Sequence, residues 1–326
     1  ELPIGLLNPS VSPPSNQHDK DRLDTSLVGL PLPTGILKDI MGYILERSYV
    51  EQPIFALTAS MALLGTIVSR KLICQNTTPN LYLLNIANSG SGKDSCQQSI
   101  KAIMTAIGGS SLVGAASYPS EASILTFLES QPARIDIIDE ASSFLKSASK
   151  GGAAYQTGIG DLLCELYSCS NEEYLGKILA SFGGKRVGRC NRPHLNIICS
   201  TTFKGVSEGI SQSTLEKGLF ARFLTFFGDD FKPAKRIKHF IPVPLSVVEN
   251  LQYWLKYTNP HDPGNIDINK SAYSVPIDVE ADKLLDDYHT KLDELRTNGQ
   301  SNMIMRPIVA RLFQQMMKII LISSVS

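Results

Sequence analysis

An apolar run followed at once by a glycine-rich turn is the feature that most constrains this fold. The run, residues 80–86, is short and bounded by turn residues, as is typical of a parallel strand buried on both faces. The turn, residues 87–95, leads into helical periodicity over residues 93–107. A strand, a glycine-rich loop and a helix in this order predict a phosphate-binding loop, or P-loop.

The loop contains the residue types that bind the phosphates of a nucleoside triphosphate. Its glycines allow successive backbone N–H groups to point at phosphate oxygens, and the following helix adds its positive N-terminal end. The Lys93 ammonium is expected to reach the β and γ phosphates. The alternative is a Gly/Ser turn that only caps a helix. The predicted nucleotide-binding residues are Asn88, Ser89, Gly90, Ser91, Gly92, Lys93, Asp94 and Ser95.

Two positions of the loop depart from the usual pattern. Ala87 stands where the first glycine is usual, and Asp94 stands where a Ser or Thr that binds Mg²⁺ is expected. A carboxylate can bind Mg²⁺ directly or through water, but it also adds negative charge beside the phosphates. Asp94 and Ser95 are therefore both candidate metal ligands, and whether the nucleotide is hydrolysed stays open.

The rest of the chain alternates between strand-like and helical patterns. This alternation predicts an α/β fold of the P-loop NTPase class, with a parallel sheet flanked by helices. The linker-like start and the apolar last helix lead us to expect that the chain is part of a longer protein. Further strands are predicted at residues 112–116, 134–138, 194–200 and 223–227. The predicted organisation is a tail or linker (1–33), an N-terminal helical preface (34–75), a P-loop ATPase core (76–240) and a C-terminal helical subdomain (241–326).

Two acids, Asp139 and Glu140, end the apolar run at residues 135–138. A buried strand that ends in this way places one acid near a bound metal and the next near an attacking water. Asp139 is therefore the predicted metal ligand and Glu140 the predicted catalytic base. An apolar run ending in Asp-Glu is common, so its place downstream of the loop is what makes it informative.

Two further residues are candidates for the catalytic set. Thr201 follows the strand pattern at residues 194–199 and is predicted to lie beside the γ-phosphate, although an ordinary Ser/Thr turn is the alternative. Arg222 lies in an apolar segment and is predicted to be an arginine finger, which contacts the γ-phosphate of a neighbouring subunit. Its alternative role is that of a structural ion-pair partner.

The chain has a formal net charge of zero, so any contact with nucleic acid must come from a local basic cluster. One such cluster surrounds Phe182-Gly183-Gly184 in a segment with a hairpin-like pattern. Lys185, Arg186 and Arg189 of this cluster are predicted to contact the phosphate backbone of a nucleic acid. The alternative is a solvated surface.

Composition favours a folded protein of the cytoplasm. Hydrophobic residues make up 43% of the chain and charged residues 19%, which is the profile of globular proteins and not of disordered ones. The apolar stretches are too short or too interrupted to cross a bilayer, so no membrane anchor is expected. Six cysteines without a CxxC pair predict a reducing compartment and no disulfide framework.

The loop, the acidic strand, the strand ending at Thr201 and the segment around Arg222 together resemble a known family. They are similar to the helicase-like P-loop ATPases of phages, prophages and mobile elements, of the primase-helicase type and related to superfamily 3. The resemblance covers residues 34–322, and the Lys93-Asp94 ending is familiar from that family.

This resemblance implies an AAA+/RecA-like core that binds ATP and Mg²⁺ and hydrolyses ATP at the interfaces of a homo-oligomeric ring, often of six subunits. It implies translocation on DNA, single-stranded or forked, and no contact with a membrane. It would make Arg306 or Arg311 a second arginine sensor. Primase or initiator domains would lie outside this chain.

The resulting prediction is an ATP-hydrolysing motor that acts on DNA, either a helicase or a replication-initiation ATPase of a phage or mobile element. Two alternatives stay open. Ala87 and Asp94 also fit a nucleotide-gated DNA-binding or assembly module with weak or absent hydrolysis. A phage-competition or defence ATPase that acts through a protein partner would share the same motifs.

Overall fold

The computed structural model describes residues 33–148, 158–209, 218–229, 232–257, 272–297 and 305–326. Apart from Pro33, the predicted tail or linker lies outside the described residues. The strands are β1 (Leu72–Ile73), β2 (Tyr82–Ile86), β3 (Ala133–Ile138), β4 (Glu173–Tyr174), β5 (Lys177–Leu179), β6 (Lys185–Val187), β7 (Cys190–Asn191), β8 (His194–Thr201), β9 (Phe223–Phe227) and β10 (Tyr273–Ser274). The helices are α1 (Gly35–Arg47), α2 (Pro53–Ile67), α3 (Lys93–Ala106), α4 (Glu121–Ser130), α5 (Ala141–Ala148), α6 (Ile159–Ser168), α7 (Phe203–Gly209), α8 (Leu245–Lys256), α9 (Val279–Thr297) and α10 (Met305–Ser323).

Four parallel strands in the order β3-β8-β2-β9 form the central sheet. The predicted mixed α/β architecture, with a parallel sheet flanked by helices, is confirmed. The register places Ile86 beside both Thr201 and Phe227, so that three strands end at the same level. Residues that follow these strands therefore lie along one edge of the sheet. The strand predictions that are confirmed are those at residues 80–86, 134–138, 194–200 and 223–227.

Both faces of this sheet are buried under apolar helices. Leu83 and Ile198 belong to one face, which we call face A, where the core includes residues of α1, α2, α3 and α10. Leu84 and Ile197 belong to the opposite face, face B, where the core includes residues of α4, α5 and α6. Because alternate residues of a strand point to opposite faces, a strand covered on both sides must be apolar at nearly every position. This requirement accounts for the continuous apolar runs in the sequence.

Helix α2 packs in the core of face A and is apolar around its whole circumference. It begins at Pro53, where the missing N–H of proline removes no helical hydrogen bond, and every residue from 58 to 67 is buried. Gly65 allows a close approach, since a β-carbon there would lie 2.6 Å from the Pro79 carbonyl oxygen. A helix without a polar side needs such an environment. The predicted helical preface therefore shares one core with the sheet.

The segment predicted as a strand at residues 112–116 differs from the expectation. It follows a short 3₁₀ turn, and Val113 forms a single parallel bridge to Ile135. The Ala115 N–H donates to the Asp136 carboxylate at 2.6 Å. Two backbone hydrogen bonds also join the segment to β3, from the Gly114 N–H to the Ile135 carbonyl at 2.8 Å and from the Ile137 N–H to the Ala115 carbonyl at 3.1 Å. The segment extends the sheet beyond β3 by only one bridge.

Short strand pairs lie outside the central sheet. Strands β5 and β6 are antiparallel and form the predicted hairpin, while β4 pairs with β7 and β1 pairs with β10. Helices α9 and α10 pack against each other at the C-terminal end of the chain. Among the helices in the described ranges, none has the length and apolar character needed to span a bilayer.

Helix α10 carries a lysine that is buried beside the amino-terminal end of β2. Lys318 Nζ donates to the Thr78 carbonyl at 3.1 Å and to the Asn80 side chain, and it lies 4.6 Å from the centre of the Tyr167 ring. Burial, with a smaller contribution from the Arg311 charge, lowers the pKa of Lys318 to about 7. A lysine in the unfolded chain has a pKa of about 10.4, so the unfolded state binds the extra proton between about pH 7 and pH 10.

We therefore expect the free energy of unfolding of the wild-type chain to rise with pH relative to that of Lys318→Met. The gain should be roughly 2 kcal/mol between about pH 7 and pH 9, because the folded protein stops burying a charge as the lysine loses its proton. Urea unfolding at several pH values measures the difference. Lys291→Met, at an exposed position of α9, is the control. A difference between Lys318→Met and wild type that stays constant with pH would contradict the lowered pKa.

Candidate nucleotide-binding site

The carboxyl ends of β2 and β8 lie side by side where the chain changes direction across the sheet. After β2 the chain passes beyond β8 to reach β3, whereas after β8 it passes beyond β2 to reach β9. Open parallel sheets bind ligands in the crevice at such a switch point. The glycine-rich loop follows β2 and Thr201 ends β8, so the topology and the sequence motif indicate the same place.

The loop after β2 has the backbone conformation that a phosphate cradle requires. Gly90 and Gly92 have positive φ angles of 80° and 86°, and α3 begins at Lys93. A β-carbon at Gly92 would lie 2.7 Å from the Val50 carbonyl oxygen. Glycine tolerates both the positive φ and the close approach. The loop therefore packs on the connection between α1 and α2, which holds the start of α3 at the carboxyl edge of the sheet.

Lys93 and Ser91 supply the polar side-chain atoms of the inner loop. The Lys93 ammonium donates to the carbonyl oxygens of Ala87 and Asn88, at 2.5 and 3.0 Å, and so lies over the loop. Ser91 Oγ is buried and has no hydrogen-bond partner among the described residues. A buried hydroxyl without a partner costs free energy, and a phosphate oxygen would satisfy it. Both observations fit the binding of a triphosphate.

Strand β3 brings its two acids to the same edge of the sheet. Asp139 and Glu140 follow β3 directly, level with the end of β8, and both are exposed. Thr201 Oγ1 donates to Glu140 Oε1 at 3.1 Å. The Thr201 carbonyl also accepts from the Ala87 N–H at 3.2 Å, which ties β8 to the start of the loop. The structure thus joins Thr201, Glu140 and the loop, three features that were predicted separately.

Gly205 in α7 packs against the Thr201–Glu140 pair. A β-carbon at Gly205 would overlap Thr201 Oγ1 and would lie 3.4 Å from Glu140 Oε1. Its φ lies outside the left-handed range, so nothing local in the sequence requires glycine at this position. The need for glycine becomes visible only once α7 is packed beside the end of β8.

Buried polar side chains join the helices to the strands that form the crevice. Gln97 Nε2, one helical turn after Lys93, donates to Ser200 Oγ at 3.0 Å. Thr58 Oγ1 of α2 donates to Asn85 Oδ1 at 3.1 Å. These four side chains are buried, and each pair hydrogen-bonds within itself. The sequence did carry a signal for Asn85, a polar residue inside an apolar strand, but its partner could not be inferred from spacing.

Asp94, Ser95 and Asp139 are the predicted ligands of Mg²⁺. Asp94 is exposed in the first turn of α3, Ser95 next to it is half-buried, and Asp139 is exposed after β3. In the part of the chain that the structure describes, no group of three or more His, Cys, Asp or Glu side chains could hold a metal. Magnesium that accompanies a nucleotide typically has one or two protein carboxylates, with phosphates and waters as its other ligands. Asp94 and Asp139 are carboxylates of the type that such a site uses, and their role in holding Mg²⁺ stays a prediction.

Arg222 lies at the opposite edge of the sheet from the loop. It directly precedes β9, so about five residues of strand, roughly 15 Å, separate it from the carboxyl end. Its guanidinium is buried and donates to the Gly218 carbonyl at 2.9 Å and to Ser168 Oγ at 3.3 Å. The structure does not bring Arg222 to the Lys93 loop of its own chain. A role toward a neighbouring subunit stays a prediction.

The two arginines predicted as a second sensor lie on α10. Arg306 is exposed in the first turn, and Arg311 is half-buried. Burial, and then the charge of nearby Arg222, lowers the pKa of Arg311. Arg311 is therefore a neighbour of Arg222, and the role of Arg306 or Arg311 as a second sensor stays a prediction.

The predicted basic cluster divides into paired and exposed residues. Lys177 contacts two glutamates, and Arg189 pairs with Glu173 at 2.8 Å. Lys185 and Arg186 are exposed on β6. Among the three predicted nucleic-acid contacts, Lys185 and Arg186 thus present their charge on the hairpin surface, whereas Arg189 shares its charge with an acid.

Comparison with known proteins identifies no relative of this chain. A scan against protein-family models finds no match to the chain, and a search of the curated proteins finds none either. The fold and the site define the chain as a mixed α/β protein with a central parallel sheet and a glycine-rich loop at its switch point.

Replacing Gly92 by alanine should weaken the binding of a fluorescent ATP analogue by about tenfold or more. The loop would have to move to make room for the methyl group, and a cost of about 1.4 kcal/mol corresponds to a tenfold loss of affinity. The new β-carbon would press on Val50 and would disfavour the positive φ. Gly108→Ala is the matched control, since Gly108 also has a positive φ, of 78°, but a β-carbon there meets open space. Equal affinities in the two variants would contradict the role of the loop.

Proposed function

We propose that this chain is an ATP-hydrolysing motor that acts on single-stranded DNA, with a P-loop NTPase core of the AAA+/RecA-like type. One observation carries the proposal: the loop with Gly92 and Lys93 lies at the switch point of a parallel sheet, beside the hydrogen-bonded pair of Thr201 and Glu140. A phosphate cradle alone would fit many functions. An oriented carboxylate on the neighbouring strand end supports hydrolysis.

The loop is proposed to bind the triphosphate through its backbone and through Lys93. The N–H groups of the loop and the start of α3 offer partial positive charge to the β and γ phosphates. Lys93 can exchange its bonds with the carbonyls of Ala87 and Asn88 for bonds to phosphate oxygens. Ser91 Oγ gains a partner in the same step.

Glu140 is proposed to be the general base. It accepts a proton from water as the water oxygen bonds to the γ-phosphorus, and the bond from that phosphorus to the β–γ bridging oxygen breaks to release ADP. The Thr201 hydroxyl donates to Glu140 Oε1 and restricts the rotation of the carboxylate, so Oε2 is the oxygen proposed to accept the proton. Gly205 leaves the room that this pair needs.

Asp139, with Asp94 or Ser95, is proposed to hold Mg²⁺. When bound, the ion neutralises the negative charge that develops on the phosphates. Asp139 and Lys93 both lie at the carboxyl edge of the sheet, so the carboxylate can offset charge of the metal and the ammonium can offset charge of the phosphates.

Single-stranded DNA is proposed as the nucleic acid that the motor binds and moves along. The support comes from Lys185 and Arg186, which are exposed on the β5–β6 hairpin of a chain with zero formal net charge. Such a local patch can contact phosphates although the protein as a whole carries no net positive charge. A homo-oligomeric ring with Arg222 acting on a neighbouring subunit stays a prediction from the sequence.

One observation favours a second candidate, a nucleotide-gated DNA-binding module without turnover. Asp94 is exposed in the first turn of α3, next to Lys93, where its charge repels the phosphates. In this module the nucleotide would order the loop and would not be hydrolysed. Steady-state ATP turnover at motor rates excludes it.

Glu140→Gln should lower the rate of ATP hydrolysis by at least about 100-fold, because the amide cannot accept the proton of the water. Its affinity for ATP should change little. Lys93→Ala should lower both the rate and the affinity. Phosphate release and binding of a labelled nucleotide measure the two quantities. Glu249→Gln, at an exposed position of α8, is the control with the same chemical change. Full activity in both Lys93→Ala and Glu140→Gln would overturn the proposed site.

Removing both hairpin cations, in Lys185→Ala/Arg186→Ala, should weaken single-stranded DNA binding. The slope of log affinity against log salt should fall by about 1 to 2, because up to two phosphate contacts are lost. Fluorescence anisotropy with a labelled oligothymidylate measures both effects. Lys283→Ala/Lys291→Ala removes the same charge from exposed positions of α9 and should leave the slope unchanged. Identical slopes in the two double variants would contradict the hairpin contact.

A further inference from the structure

A cavity of about 650 Å³ lies between α4 and the tip of the β5–β6 hairpin. Its lining includes Tyr118, Phe127, Phe182 and Arg134. Arg134 is near the amino-terminal end of β3, whereas Glu140 follows the carboxyl end of the same strand. The cavity is therefore separate from the proposed nucleotide site. Its volume is within the range of about 300 to 1,000 Å³ that small-molecule pockets span.

Arg134, in the wall of the cavity, has a buried hydrogen-bond donor without a partner among the described residues. Arg134 is fully buried, and its Nη2 has no hydrogen-bond partner among the described residues. The other guanidinium nitrogens are engaged, because Nε pairs with Asp136 at 3.1 Å and Nη1 donates to the Gln131 carbonyl at 2.9 Å. The remaining donor calls for an acceptor from a ligand.

The charge of Arg134 is already balanced within the chain. Asp136 pairs with the guanidinium and also accepts from the Tyr118 hydroxyl and from the Ala115 N–H, both at 2.6 Å. The carboxylate is thus saturated with donors from the protein. A site built on a neutralised ion pair favours an uncharged acceptor over a phosphate.

Aromatic rings and hydroxyl oxygens provide the remaining contacts. Phe127, whose ring centre is 4.9 Å from the Arg134 guanidinium, and Phe182 both line the cavity. Ser123 and Thr126 also line it and donate their hydroxyl hydrogens to the carbonyls of Ser120 and Ala122. Ser123 Oγ also accepts from the Ser120 N–H at 3.4 Å, and each hydroxyl oxygen keeps a lone pair that can accept from a ligand. A flat ring with both acceptors and N–H donors, such as a nucleobase, matches this lining.

The hairpin places cations next to the cavity. Phe182 is 39% exposed, so the hairpin side of the cavity is open to solvent, and Lys185 and Arg186 follow it on β6. The hairpin is fixed to α4 because Glu129 accepts from the Gly188 N–H at 2.6 Å. The phosphates of one strand can therefore lie on the cations while a base enters the cavity.

We infer that this cavity binds an unstacked base of single-stranded nucleic acid whose phosphates contact Lys185 and Arg186. The inference rests on the proposed action on DNA. It adds that the protein contacts a base of the strand as well as its phosphates. Arg134 Nη2 donates to a ring nitrogen or carbonyl of the base, and the rings of Phe127 and Phe182 contact its face. Stacking contacts of this kind tolerate any sequence.

Thr126→Trp tests the inference by filling the cavity from an exposed position of α4. The Kd for a labelled oligothymidylate should rise about tenfold, the scale of one lost base-stacking contact. The salt slope should stay at the wild-type value, because no phosphate contact is lost. Phe182→Ala, at the exposed hairpin tip, removes one ring without adding bulk and should weaken binding in the same way.

Two matched controls separate the cavity from general effects of these substitutions. Thr290→Trp alters a threonine on α9 that is also exposed and also donates to the carbonyl four residues earlier, at 2.9 Å against 3.0 Å for Thr126. Phe240→Ala removes a phenylalanine that is 83% exposed. Both controls should bind the oligothymidylate with wild-type affinity.

An abasic oligonucleotide of the same length completes the test. The effect of Thr126→Trp should disappear on this probe, because it has no base to insert. Equal weakening on the abasic and normal probes overturns the inference, and so does wild-type affinity of both cavity variants for the normal probe. In those two cases the proposed motor stands. A wild-type chain that binds no oligothymidylate overturns the DNA-binding function itself and this inference with it.

Discussion

Apolar helices cover both faces of the central sheet, and every side chain of β2 is buried as a result. This double burial sets the register, because a shift of one residue would exchange the side chains of the two faces. Ile86, Thr201 and Phe227 then lie level. The loop after β2, the end of β8 and the acids after β3 converge only because these strands stop together. The proposed chemistry therefore depends on the burial of both faces of the sheet, to which the proposed catalytic residues themselves do not contribute.

Two glycines at close contacts between packed segments determine the geometry of the proposed site. Gly92 lets the loop rest on Val50, and Gly205 leaves room for the hydrogen bond between Thr201 and Glu140. In both places a single methyl group would move polar atoms that are expected to meet phosphate or water. A crevice of this kind is sensitive to substitutions that change neither charge nor polarity.

Much of the fold followed from local patterns, and much of the site did not. The apolar run at residues 80–86 and the helix starting at Lys93 are encoded within a few residues, so their prediction succeeded. The segment around Val113 was predicted as a strand but forms one bridge, and the Ala115 N–H after it bonds to the Asp136 side chain instead of to a backbone carbonyl. The cavity at Arg134 had no sequence signal, since its walls come from α4, β3 and a hairpin far apart in the chain.

The sequence by itself determined the elements and the residue types of the proposed site: a buried strand, a glycine-rich loop ending in Lys93, and an acidic pair after a second apolar run. These depend on periodicity and on backbone conformations that neighbouring residues specify. Tertiary structure alone decided which of them meet. It joined Glu140 to Thr201, placed Arg222 at the far edge of the sheet, and paired Arg189 while leaving Lys185 exposed. Contacts between distant segments arise from packing, which spacing along the chain does not record.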